Sequence, residues 1–158
     1  QSNYSYTFAL WIYPFATNGT IIQLLSINND WWSPMLGFDS NNHLVTQTWN
    51  GAAFYNVALN SFILPLNTWT HVATTFSITN GLRLFVNGTR VNMTSSSYAH
   101  ASSGSWNIMS VGACTQPMVW CSNTETRIIP NQYRGKIDEL RIYSRELTTV
   151  EINALVNV

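Results

Sequence analysis

Seven carboxylates are the chain's whole stock of acidic side chains: Asp30, Asp39, Glu125, Asp138, Glu139, Glu146 and Glu151. Acid–base cleavage of a glycosidic bond needs two of them facing each other across the bond. Asp138 and Glu139 are adjacent, and neighbours on an extended strand point to opposite faces, so they cannot flank one bond. His43, His71 and His100 lie on different segments, with no serine or cysteine nucleophile motif beside them. No catalytic triad can be drawn from them, and His71 reads as a structural histidine with its ring nitrogens satisfied. The expectation is a protein that is not an enzyme and requires no cofactor.

Aromatic side chains offer a different chemistry. Trp31 and Trp32 follow an Asn-Asn-Asp turn, which should leave at least one ring exposed. Trp49, Phe54 and Tyr55 flank Asn50-Gly51, and Trp120 lies between the two cysteines. Flat rings stack on sugar faces while amides and carboxylates at the rim supply hydrogen bonds. Asp30, Trp31, Trp32, Trp49 and Tyr55 are therefore candidate carbohydrate-binding residues, with Asn29 and Asn50 as further rim groups. The same rings could equally fill a core or a subunit contact, because aromatics also dominate protein interfaces.

Cys114 and Cys121 enclose TQPMVW, which reads as a loop stapled by a disulfide in an oxidising compartment. Asn3, Asn18, Asn87 and Asn92 each open an N-x-[ST] sequence, the acceptor for N-glycosylation. Asn18-Gly and Asn87-Gly read equally well as turns. Together these features point to a secreted, extracellular glycoprotein. Charged residues make up only 9% of the 158 positions and the net charge is zero, so there is no basic surface to hold nucleic acid. No signal peptide and no apolar run of about 18 residues is present, so no membrane span is expected. Hydrophobic residues at 46% rule out a disordered chain.

The elements that must carry these residues show a period of two. In Tyr6 to Tyr13, Tyr6, Phe8, Leu10 and Ile12 share one face, and Thr7, Ala9, Trp11 and Tyr13 share the other. Both faces are largely apolar, which suits a strand inside a two-sheet sandwich, ended by Pro14. Further strands are expected over 20–27, 35–38, 43–49, 54–59, 68–78, 82–86, 90–93, 106–112 and 134–143. Asn80-Gly81 and Asn87-Gly88 mark two consecutive hairpins. Residues 95–105 and 113–132 read as loops. Thr148-Thr-Val-Glu151 is a capping box that opens one short helix to about Val156. The fold class is all-β, an antiparallel two-sheet sandwich or jelly roll formed by one domain over residues 1–158.

Three segments in order resemble the laminin-G-like jelly-roll family of the concanavalin-A-like lectin/glucanase superfamily. They are Tyr6-Thr-Phe-Ala-Leu-Trp-Ile-Tyr-Pro14; Asn67-Thr-Trp-Thr-His-Val-Ala73 followed by Leu82-Arg-Leu-Phe-Val-Asn-Gly88; and Gly135-Lys-Ile-Asp-Glu-Leu-Arg-Ile-Tyr-Ser-Arg-Glu-Leu147 with Glu151-Ile152. The resemblance implies a jelly roll acting in carbohydrate binding or adhesion, with glycans or extracellular proteins as partners. Glycosidases on this fold carry a Glu-x-Asp-x-x-Glu strand, which this chain lacks. Relatives often hold a structural calcium ion near the closing strand. Asp138, on a face shared with Leu140 and Ile142, is the candidate ligand. Family members also carry one or two strands before the first motif. Here that motif begins near residue 6, so the sheet is expected to lack an N-terminal strand as partner for the closing strand. Strand donation by a neighbour, giving self-assembly into a filament, is the alternative reading.

Overall fold

The computed structural model describes residues 5–27, 31–49, 55–94, 107–113 and 126–157, and the side chains of 55–57 and 59 are not among them. Ten strands form: β1 (Tyr6–Pro14), β2 (Thr20–Ser26), β3 (Trp32–Phe38), β4 (His43–Trp49), β5 (Tyr55–Ile63), β6 (Thr70–Ser77), β7 (Gly81–Val86), β8 (Thr89–Met93), β9 (Asn107–Val111) and β10 (Gly135–Tyr143). One helix follows, α1 (Thr149–Val156). The strands make two five-stranded sheets, ordered β10-β1-β6-β7-β8 and β5-β4-β3-β2-β9, with every ladder antiparallel. This is the two-sheet antiparallel sandwich expected from the strand pattern, and the jelly roll that the resemblance implies.

The alternation in β1 does what its composition dictates. Phe8, Leu10 and Ile12 turn inward and pack with Ile22, Met35, Leu36, Phe38, Leu44 and Leu84 between the sheets. Ala9 turns outward, where it joins Ala73 and Phe85 beneath Leu147 and Ile152. Full burial of such aliphatic or aromatic side chains is worth about 1.5–3 kcal/mol each. Thr7, on the outer face, ties the C-terminal segment down: its hydroxyl donates to Arg145 O at 2.8 Å and accepts from Leu147 N–H at 3.0 Å. A second hydroxyl link crosses the core, where Thr46 Oγ1 and Thr74 Oγ1 lie 2.7 Å apart and Thr46 also donates to Met35 O.

Local chemistry sets the turns and the helix. Asn87 and Gly88 both have positive φ, 47° and 78°, between the paired residues Val86 and Thr89, as a tight two-residue hairpin turn requires. At α1 the Thr148 hydroxyl accepts from Glu151 N–H and the Glu151 carboxylate accepts from Thr148 N–H, completing the capping box.

The closing strand departs from simple alternation. Trp11 pairs with Asp138 but Ala9 pairs with Arg141, so Glu139 and Leu140 together oppose Leu10. Glu139 takes φ 52°, the left-handed conformation of a β-bulge. This extra residue corrects the expectation for Asp138. The bulge shifts the phase, so Leu140 packs toward the core while Asp138 stands opposite Trp11 on the outer face, exposed. Its carboxylate accepts its neighbour's Glu139 N–H at 2.8 Å. Asp138 therefore does not share an apolar face with Leu140 and Ile142. The burial that made it a calcium candidate is absent. Among the described residues no group of three His, Cys, Asp or Glu side chains gathers to hold a metal.

β10 stands at the edge of its sheet, with β1 on one side and no strand on the other among the described residues. The bulge and the charged Lys136, Asp138, Glu139 and Arg141 interrupt that edge, a pattern that discourages edge-to-edge pairing.

Candidate ligand-binding face

Of the rings singled out in the sequence, Trp32, Trp49 and Tyr55 fall on the second sheet, while Phe54 and Trp120 lie outside the described residues. Leu36, Leu44 and Thr46 face the core, so Val45, Gln47 and Trp49 face outward on β4. Leu24 packs against the core, so Leu25 and its partner Trp32 also face outward. β3 starts with Trp32 at the end of the sheet where β4 finishes with Trp49, on the neighbouring strand. Two half-buried tryptophans thus share one face and one end of adjacent strands. Trp49 pairs in register with Tyr55 at the start of β5, which brings that position to the same end. Trp31, half-buried, precedes β3; its carbonyl accepts Ser26 N–H at 3.0 Å. Neither Trp31 nor Trp32 is fully exposed, because each flanks a strand already inside the sheet. Asp30 lies outside the described residues.

Behind these rings the same face carries amides that the sequence reading did not single out. Gln23 faces outward between Leu24 and Ile22 and pairs with Pro34 and Ser110. It is fully buried, and neither atom of its carboxamide has a hydrogen-bond partner. Gln47 is also fully buried; Oε1 accepts Arg127 N–H at 3.1 Å, while Nε2 has no partner. The buried indole N–H of Trp31 has none either. Leaving a buried polar group unpaired costs about 1–3 kcal/mol, and native structures hold few of them. Period-two counting from Leu24 and Thr46 marks both glutamines as polar residues on a covered face. The bulges in β2 and β3 hide that signal from the sequence.

The far end of this face is closed by residues 126–132. Ile129 N–H donates to Phe38 O, Thr20 Oγ1 donates to Ile129 O, and Thr20 bridges Gln132 in parallel. The segment needs Gly37, since a Cβ there would lie 2.5 Å from Ile128 Cγ2.

Other sequence candidates are placed as follows. His71 sits on the outer face of the first sheet, edge-on to Trp11 at 5.3 Å and 2% exposed. Its ring is not fully satisfied, since Nδ1 has no partner among the described residues. Burial, reinforced by the nearby Arg141 charge, lowers its pKa from 6.5 to about 4. Asn18 is half-buried with its amide oxygen enclosed. Asn87 is exposed at its turn and accepts His71 N–H, and Asn92 is half-buried in β8. Asn3, Cys114 and Cys121 lie outside the described residues.

A sequence profile for the concanavalin A-like lectin/glucanases superfamily matches residues 1–153. The chain belongs to that superfamily. No curated protein sequence matches this superfamily member. Among solved structures of similar fold is a native heptameric SAP-like pentraxin from Limulus polyphemus. It has a TM-score of 0.66 and 18% identity, over 96% of this chain and 69% of that one. Domain 4 of AbnA, a GH43 extracellular arabinanase from Geobacillus stearothermophilus solved with arabinotriose, gives 0.57 and 19%, over 99% and 68%. The binding domain of botulinum neurotoxin serotype G gives 0.64 and 14%, over 97% of this chain but 36% of that one. At these identities the likeness is one of fold.

Proposed function

We propose that this superfamily member is a non-catalytic, extracellular carbohydrate-binding or adhesion module whose ligand lies against the Trp32–Trp49 end of the second sheet. The observation that carries the reading is the meeting of two half-buried tryptophans on one outer face, at one end of adjacent strands. Half-buried indole rings supply the flat surfaces on which sugar faces stack. Domain 4 of the arabinanase, solved with an arabinose oligosaccharide, is a precedent on the same fold. A non-catalytic role is supported by the engagement of the described carboxylates. Asp39 accepts Asn41 and His43 N–H, Glu146 pairs with Arg83, Glu139 with Arg141, and Glu151 caps α1. Secretion rests on the sequons, of which Asn87 is the exposed one among the described residues.

A panel of neutral oligosaccharides titrated by calorimetry tests the proposal. Binding should weaken at least about tenfold in Trp32→Ala and in Trp49→Ala, since stacked rings carry most of such an affinity. Absence of binding to any neutral glycan would defeat it.

Assembly by strand donation rests on the open side of β10, where Ile142 pairs with core-facing Phe8 yet is 55% exposed. The Glu139 bulge opposes a regular added ladder, which makes sugar recognition the better supported reading.

A further inference from the structure

Among the described residues, the outer face of the first sheet is covered at one end only. Leu147 and α1 lie over Ala9, Ala73 and Phe85. At the opposite end, Tyr13 of β1 pairs with Lys136 of β10. The Tyr13 ring meets Phe15 edge-on at 5.8 Å and Trp69 at 5.4 Å, with interplanar angles of 80° and 63°. Phe15 is 50% and Trp69 41% exposed. Lys136 Nζ lies 5.2 Å from the Tyr13 ring centre. Arg134 is exposed two residues earlier, and its carbonyl accepts Phe15 N–H. Arg134 immediately precedes β10 and is held beside Phe15 by that bond, two residues from Lys136.

Charge is the deciding feature. In a chain with only seven basic side chains and no net charge, two stand together here. Among the described residues, Arg83, Arg141 and Arg145 each pair with a glutamate, whereas neither Arg134 nor Lys136 meets a carboxylate. Asp138, next along the strand, is turned to Glu139 N–H. The rings hold one another edge-to-face, so they form a fixed platform with ring surface left open, flanked by two cations that no described carboxylate neutralises.

We infer that this platform is a second binding site, on the side of the sandwich opposite Trp32 and Trp49, for an acidic sugar. The pyranose ring stacks on Trp69 and Phe15, and its carboxylate is received by Arg134 and Lys136. Guanidinium and ammonium groups bind carboxylates through charge-assisted hydrogen bonds, which a neutral sugar could not use. An anionic membrane is the poorer occupant. Two cations raise binding to such a surface only roughly thirtyfold, where stable anchoring uses clusters of four or more.

Calorimetry on the full chain, with a uronate-containing hyaluronan tetrasaccharide and neutral chitotetraose, tests the site. Wild type should bind the acidic probe, with affinity falling as salt is raised. The double variant Arg134→Gln/Lys136→Gln should lose about tenfold or more. Trp69→Leu should lose a similar factor. If Trp69→Leu fails to fold, the charge variant, which alters exposed side chains only, still decides. The Trp32→Ala variant should bind the acidic probe as wild type does, so failure of this site is distinguishable from failure of the first. Unchanged binding in Arg134→Gln/Lys136→Gln would overturn the inference. So would wild-type indifference to the tetrasaccharide, including the case where phosphatidylserine vesicles bind instead.

Discussion

His71 shows how one side chain couples burial to pH. Its imidazole is enclosed and lowered to about pH 4 by desolvation first and by Arg141 second. In the unfolded chain it titrates near 6.5, so between 6.5 and 4 the unfolded state binds the extra proton. The neutral ring's contribution is complete above 6.5 and is lost as pH falls toward 4. The melting temperature should therefore decline through that window. His71→Gln should flatten the decline, and an unchanged pH profile in the variant would show that His71 is not its source. The Trp-x-His spacing made His71 visible in the sequence. Its lack of a partner for Nδ1 was not visible, because that depends on Trp11 arriving from another strand.

At the scale of elements, α1 is the feature most fully legible in advance. Its cap uses Thr148 and Glu151, three residues apart, so sequence alone contains both partners. Arg145 and the Thr148 backbone and hydroxyl hold the Glu151 carboxyl down from 4.5 to about 2. A depressed acid contributes above its ordinary value, so docking of α1 should loosen as pH falls from 4.5 toward 2. Thr148→Ala should cost about 1 kcal/mol at neutral pH, read by chemical denaturation. β10 is the counterexample. Its strand was legible but its bulge was not, since Glu139 at φ 52° carries no glycine to announce it. One extra residue reversed the side of Asp138 and with it the argument for calcium.

For the whole molecule, the two sheets are held together by apolar packing, with the Thr46–Thr74 hydroxyl bridge inside it. Thr46 Oγ1 gives its proton to Met35 O, so Thr74 is the donor across the core. Thr46→Val should leave both Thr74 and Met35 O unpaired and cost about 1–3 kcal/mol. Thr74→Val should cost less, because Thr46 keeps its bond to Met35 O. Equal losses in urea unfolding would show that this donor order is wrong.

Sequence by itself determined the fold class, most strand limits, the Asn-Gly hairpins, the capped helix and the membership that follows from three ordered motifs. Each depends on residues close in the chain: alternation along a strand, two residues in a turn, a hydroxyl and a carboxylate one helical turn apart. It also named Trp31, Trp32, Trp49 and Tyr55. Only the tertiary structure decided that Trp32 and Trp49 share a face, that Gln23 and Gln47 are buried behind them, and that Tyr13, Phe15, Trp69 and Lys136 meet on the other side. Those relations join strands far apart in sequence. Bulges in β2, β3 and β10 reset the alternation between them, so which face a side chain takes is fixed by register rather than by its own neighbours.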